Sequence, residues 1–227
     1  MSWLAHNIPL VTQRLTQHLA LALPAVIITL LISVPLGYWL KEHPKIGKPI
    51  VSIFSLSYAI PSLPMLIVIP AFLGVPLRSG ANVIIALTIY GIALMLRTVV
   101  DAFTAIPDHI RMSSIAMGYT RWGAWWHVDL PLALPALFAG LRVVIASSMA
   151  MTSIGALVGI PSLGSLLTDG FQRGIIAEVS SGLLVLIMST LVLDWGTLIL
   201  TKALTPWQRH NSQHSSDYSS AHEEAEA

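Results

Sequence analysis

The 227-residue chain contains no cysteine, and Asp, Glu, Lys and Arg together make up only 10% of it. The first absence excludes disulfides, thiolate metal sites and a cysteine nucleophile. Eight His residues are scattered without HExxH or comparable ligand spacing, so no metal centre is expected. There is no GxxxxGK[ST] phosphate loop, which excludes ATP hydrolysis by that route. Paired carboxylates, a His cluster and an activated nucleophile are all missing from any one place, so a membrane enzyme has no support. A net charge of +1 is too small to argue for nucleic acid. No internal repeat is visible, which removes the inverted-repeat class of secondary carriers and weakens a stand-alone ion-coupled carrier or channel.

What is present is apolar. Hydrophobic residues make up 55% of the chain and the mean hydropathy is +0.74, whereas an ordinary soluble domain carries roughly 25% charged residues. The chain therefore reads as an all-α integral membrane protein. A helix needs about 20 apolar residues to cross a hydrocarbon core of about 30 Å. Five runs qualify: Leu19 to Leu40, Ile50 to Leu73, Ala81 to Phe103, Leu132 to Val158 and Val179 to Lys202. They lack the two-residue alternation of a β-barrel. The start, "MSWLAHNIPLVTQRLTQH", does not read as a signal peptide, and residues 1–14 are expected to form an extracytoplasmic segment.

Orientation follows from the basic residues between spans. With the N-terminus outside, the inner side collects Lys41, Lys45, Lys48, Arg111, Arg121, Lys202 and Arg209, and the outer side only Arg14, Arg78 and Arg173. Seven against three places the C-terminus and the loop 104–131 in the cytoplasm. The tail from residue 205, Ser- and His-rich and then acidic, is expected to be disordered.

Three places depart from plain spanning helix. In "YAIPSLPMLIVIP" of the second span, Pro61, Pro64 and Pro70 remove backbone donors, so the helix kinks or breaks. Tyr58, Pro61, Ser62 and Pro64 then either line a pathway or mark a kink packed on a neighbour, since free carbonyls at bilayer depth need protein or water beside them. The stretch from Ile154 to Gly170, with four Gly and a Pro, is too irregular for one helix and is either an outer gate or a connecting loop. In the third place, the loop 104–131, Pro107 suits a first helical turn and Gly118 the left-handed residue after a helix end. Thr120 suits the cap of a second short helix whose Trp122, Trp125 and Trp126 share one face at the membrane interface.

Charges inside spans are costly and are expected to find partners. Arg97 has Asp101 four residues on; Arg142 and Asp194 lie deeper and either pair with each other or line the pathway. Tyr58 or Tyr90 could offer a π face to a cation, although tyrosines in spans more often serve packing.

The spacing in the cytoplasmic loop carries a resemblance. Nine residues follow Gly118 before Val128, Asp129, Leu130 and Pro131, the arrangement of the inner loop in permeases of bacterial binding-protein-dependent ABC importers. Met112, Ser113 and Ser114 occupy the positions where that family has E-A-A, so its usual acidic residue is absent. Over Leu15 to Leu204 the chain looks most like permeases of osmoprotectant uptake, which import glycine betaine, choline or carnitine; "AIPSLPMLIVIPAFLGV" and "AMGYTRWGAWWHVDLPLALPALFAGLR" carry this.

The resemblance implies a type I importer permease of five spans, occupying residues 15–204 and located in the bacterial plasma membrane. It implies a second permease subunit, same or paralogous, two cytoplasmic ATPase subunits that bind the ATP, and an extracytoplasmic binding protein. This subunit would carry no cofactor, contact membrane lipid and bind no nucleic acid. Residues for ATPase coupling would be Ser113, Ser114, Ala116, Met117, Gly118, Tyr119, Thr120, Arg121 and Trp122, with Val128, Leu130 and Pro131 completing the motif.

Overall fold

A computed structural model describes residues 2–206, apart from the side chains of Ser2 and Ala5. Of the tail from residue 205, expected to be disordered, residues 207–227 lie outside the described residues. Among the described residues ten α-helices follow one another: α1 (Ser2–His6), α2 (Ile8–Glu42), α3 (Pro44–Ser57), α4 (Ser62–Leu73), α5 (Gly80–Thr104), α6 (Asp108–Ala116), α7 (Arg121–Ala124), α8 (Leu130–Thr152), α9 (Leu163–Gln172) and α10 (Ile176–Leu204). No strand is found among the described residues. Among the described residues four segments are long and apolar enough to cross a membrane, and α3 with α4 makes a fifth if that bent pair counts as one span.

The first span is longer than its apolar run. α2 begins at Ile8 rather than near Leu19 and its 35 residues extend about 52 Å. Pro9 sits in the first turn, where its missing N–H costs nothing. The polar early turns are held because they pack: Val11 is buried with Leu163 and Leu166 of α9, and the fully buried His18 reaches the carbonyl of Met149 through Nε2 at 3.0 Å.

α5 is the centre of the bundle. Met95, Val99 and Phe103 are buried against Leu137, Val144 and Met149 of α8 and Val26 of α2. In a membrane, helices associate by close van der Waals approach, which small residues permit. A Cβ on Gly91 would overlap the Thr29 side chain, and one on Gly140 would sit 2.7 Å from Thr98 Cγ2, so both crossings need glycine. α10, by contrast, fully buries only Glu178, Gly182 and Thr197, packs Val185, Leu186 and Leu193 partly against the core, and leaves its outer face exposed.

The second span breaks outright. α3 and α4 meet at 112° around residues 58–61, with Pro61 at the N-cap of α4. The carbonyl of Ile60, freed there, accepts from Tyr90 Oη of α5. Asn82 Nδ2, also on α5, donates to the carbonyl of Leu66, opened within α4 by Pro70, at 2.9 Å and to that of Leu77 in the following loop at 3.0 Å. At the far end of α8 the irregular stretch resolves into a 3-10 turn (Ser153–Val158), Gly159 in the left-handed region, and the separate α9.

Candidate functional site

The corner of the loop is a complete Schellman arrangement. After α6, Gly118 adopts φ +90° and its N–H bonds the carbonyl of Ile115 at 2.9 Å, while the N–H of Tyr119 bonds that of Ser114 at 3.2 Å. This pairing satisfies the end of α6 and requires a left-handed residue, hence Gly118. Thr120 Oγ1 then accepts from the N–H of Gly123 at 3.1 Å and starts α7.

Most of the expected loop residues are exposed at this corner: Ser113, Ala116, Met117, Gly118, Tyr119, Thr120, Arg121 and Trp122. Ser114 is not. Its hydroxyl turns back to the carbonyl of Arg111 at 2.8 Å and is buried, because it lies on the face of α6 toward the bundle. Val128, Leu130 and Pro131 are half-buried where the chain enters α8. Met112, Ile115, Met117 and Trp122 are exposed, an apolar surface on two short helices that nothing among the described residues covers.

The three Trp residues do not share one face. A π turn runs from Trp125 to Asp129, with the N–H of Leu130 bonded to the carbonyl of Trp125, and the extra residue rotates the chain as it enters α8. Trp125 packs inward on Tyr38, with ring centroids 5.9 Å apart, while Trp122 and Trp126 stay exposed. The same rotation buries Asp129.

Asp129 belongs to a cluster that motif and spacing do not reveal. Arg111 of α6 bonds Glu42 Oε1 at 2.6 Å and Asp129 Oδ2 at 2.9 Å, and also reaches the hydroxyl of Tyr38, which donates to Asp129 Oδ2 at 3.1 Å. The guanidinium carbon lies 5.5 Å from the centre of the Tyr38 ring. Burial works against the cation, but the hydrogen bond to Glu42 and the charge of Asp129 outweigh it and hold Arg111 above its ordinary pKa. The end of the first span, α6 and the start of α8 are thus tied at one guanidinium. A usable signal existed: Tyr38 and Glu42 stand four residues apart at a span end and share a helix face.

The charges foreseen inside the spans pair within one helix or between two. Arg142 and Asp194 make a two-pronged pair between α8 and α10, Nε to Oδ1 at 2.5 Å and Nη2 to Oδ2 at 2.8 Å. Arg97 and Asp101 lie 3.8 Å apart on the surface of α5. Tyr58, Pro61 and Pro64 are exposed at the break and Ser62 is half-buried; the ring of Tyr58 meets Tyr90 edge-on at 5.9 Å. The structure therefore brings the four break residues together and keeps them apart from the Arg142–Asp194 pair.

This arrangement, a broken span, a bundle centred on one helix and a protruding two-helix loop, has counterparts. Residues 30–210 match the family described as binding-protein-dependent transport system inner membrane component. The chain belongs to that family. It is 30% identical over 194 residues to the osmoprotectant import permease protein OsmW of Salmonella typhimurium, covering 84% of this chain and 89% of the relative. To the glycine betaine/carnitine/choline transport system permease protein OpuCD of Bacillus subtilis it is 28% identical, covering 86% and 85%. Among solved structures, the inward-facing MetNI methionine ABC transporter superposes with a TM-score of 0.74 at 22% identity, over 88% of this chain and 98% of that one, which shows the fold. The chain is accordingly a type I ABC importer permease, a non-enzymatic inner-membrane component that works with a separate ATPase and a substrate-binding protein.

Proposed function

We propose that this permease carries a small osmoprotectant of the quaternary-amine class across the plasma membrane, and that its loop 104–131 takes up the motion of the ATPase. The relatives' names support the solute class: osmoprotectants for OsmW, and glycine betaine, carnitine and choline for OpuCD. The observation that carries the coupling role is the corner at Gly118, which presents Met112, Ile115, Met117 and Trp122 as an uncovered apolar knob. An apolar helix surface of this kind fits a groove in a partner. ATP stays with that partner, and this subunit needs no cofactor. A second permease, same or paralogous, closes the pathway on the side where α3 and α4 leave Ile53, Leu56, Ile67 and Phe72 exposed, with Tyr58, Pro61, Ser62 and Pro64 at its constriction. Closure of the ATPase pair then rocks the two permeases between outward and inward states.

The test is Gly118→Asp. A Cβ there meets nothing within 4 Å, so packing is untouched and the change falls on the left-handed backbone, at about 1 kcal/mol, and on the knob, which gains bulk and a negative charge. The variant should insert normally yet lose the ATPase on purification, or keep it without stimulation of hydrolysis by solute-loaded binding protein. Wild-type stimulation and uptake would refute the coupling role. Titrating the binding protein with betaine, choline and carnitine decides the solute independently.

A further inference from the structure

Two clefts meet where the first span reaches the loop. One, of about 410 Å³, is a groove between α2 and α8 whose walls are almost wholly apolar, Leu30, Leu31, Val34, Leu134, Leu137 and Phe138 among them. It follows α8 from Leu130 to Leu141, about 16 Å of helix, which matches the depth of one leaflet's hydrocarbon, about 15 Å. The other, of about 600 Å³, lies at its mouth and is lined by Tyr38, Trp39, Glu42, His43, Arg121 and Trp122. Pro35 and Trp125 belong to both, so the two are continuous.

The charges at the mouth favour an anion. Glu42 is already bonded to Arg111 at 2.6 Å and to Lys41 at 3.4 Å, so its charge is answered. Arg121 faces the cleft with no acidic partner among the described residues. Trp125, at the junction, holds a buried indole N–H that has no acceptor among the described residues. Trp39 and Trp122 rim the opening, and indoles favour the boundary between hydrocarbon and headgroup.

We infer that this composite cleft is a binding site for an anionic phospholipid of the cytoplasmic leaflet, with one acyl chain in the α2–α8 groove and the phosphate beside Arg121. An apolar trough alone would take any lipid; the unpaired guanidinium at its mouth selects the charge of the headgroup. The site places a lipid between the first span and α7, so membrane composition reaches the loop directly. Lipid binding here requires the membrane embedding and the cytoplasmic side of the loop and does not depend on the solute. Because Arg121 and Trp122 also belong to the coupling loop, the site holds lipid only where the docked ATPase leaves the mouth of the cleft open.

The test is native mass spectrometry of the complete importer released from nanodiscs of equal phosphatidylglycerol and phosphatidylcholine. One basic contact at a membrane surface corresponds to a preference of about fivefold for the anionic lipid. Wild type should retain phosphatidylglycerol by that factor. Arg121→Gln should bring the ratio to about one while total bound lipid stays, and Leu134→Trp should remove lipid of both kinds. Should Leu134→Trp fail to assemble, Val34→Phe fills the same groove, and the wild-type ratio stands by itself. Equal retention of the two lipids by wild type, an unchanged ratio in Arg121→Gln, or a groove covered by the second permease copy and free of lipid would each overturn the site.

Discussion

Two ion pairs that both join separate helices behave very differently in this molecule. Arg111 is held by two acids and a tyrosine, and its partner Asp129 is 3% exposed. Arg142 and Asp194 have only each other, and their side chains remain 39% and 29% exposed on the chain. The first is a junction that belongs to the fold of one subunit. The second lies midway along α8 and α10 on a face that the chain leaves open, where a charge pair must meet water, a neighbouring subunit or hydrocarbon. Charge inside the fold thus holds the loop to the first span, and charge on the open face awaits what the assembled transporter puts there.

The sharpest way to break this contrast is Arg111→Met. It leaves Asp129 buried without a cation, which costs on the order of 3 kcal/mol, so the purified complex should melt at clearly lower temperature and its hydrolysis should no longer respond to binding protein. An unchanged melting temperature would mean that the cluster is decorative. Asp194→Asn should act less strongly, lowering the yield of assembled complex, and the double change with Arg142→Gln should recover part of that yield because no charge is then left alone. If the single variant assembles normally and only transport falls, the pair belongs to the pathway and the contrast sharpens into structure against function. Smallest is Tyr38→Phe. It removes a hydroxyl from the cluster but keeps the ring against Phe103 and Trp125; a loss of about 1 kcal/mol in stability is expected from one hydrogen bond. A loss as large as that of Arg111→Met would show that the hydroxyl, rather than the charge, organises the junction.

The features legible in the sequence were those that local chemistry imposes. Gly118 followed by Thr120 announces a left-handed stop and a new cap, and both are found. Pro61 and Pro64 announce a broken span, although nothing in the run gave its 112° angle, which depends on how α4 meets α5. The exposed Arg97–Asp101 pair sits within one helix and was foreseeable, and Arg142 with Asp194 was one of two readings left open. The Arg111 cluster was hidden because, apart from Tyr38 and Glu42 on one helix face, its members lie 18 to 91 positions apart and no periodicity connects them. The inward turn of Trp125 was hidden for another reason: spacing arithmetic assumes 3.6 residues per turn, and the π turn breaks that count over five residues.

The broken second span also constrains how the protein is made. Neither α3, with 14 residues, nor α4, with 12, is long enough to cross hydrocarbon alone. The carbonyls opened between and within them are answered by Asn82 and Tyr90, the latter synthesised 30 residues after its acceptor. Leaving the ribosome, the segment has no finished resting state in the bilayer until α5 arrives beside it. Insertion of the second span is therefore a step taken jointly with the third, and a chain interrupted before α5 would present the cell's quality-control machinery with two half-helices and unsatisfied backbone rather than a stable intermediate.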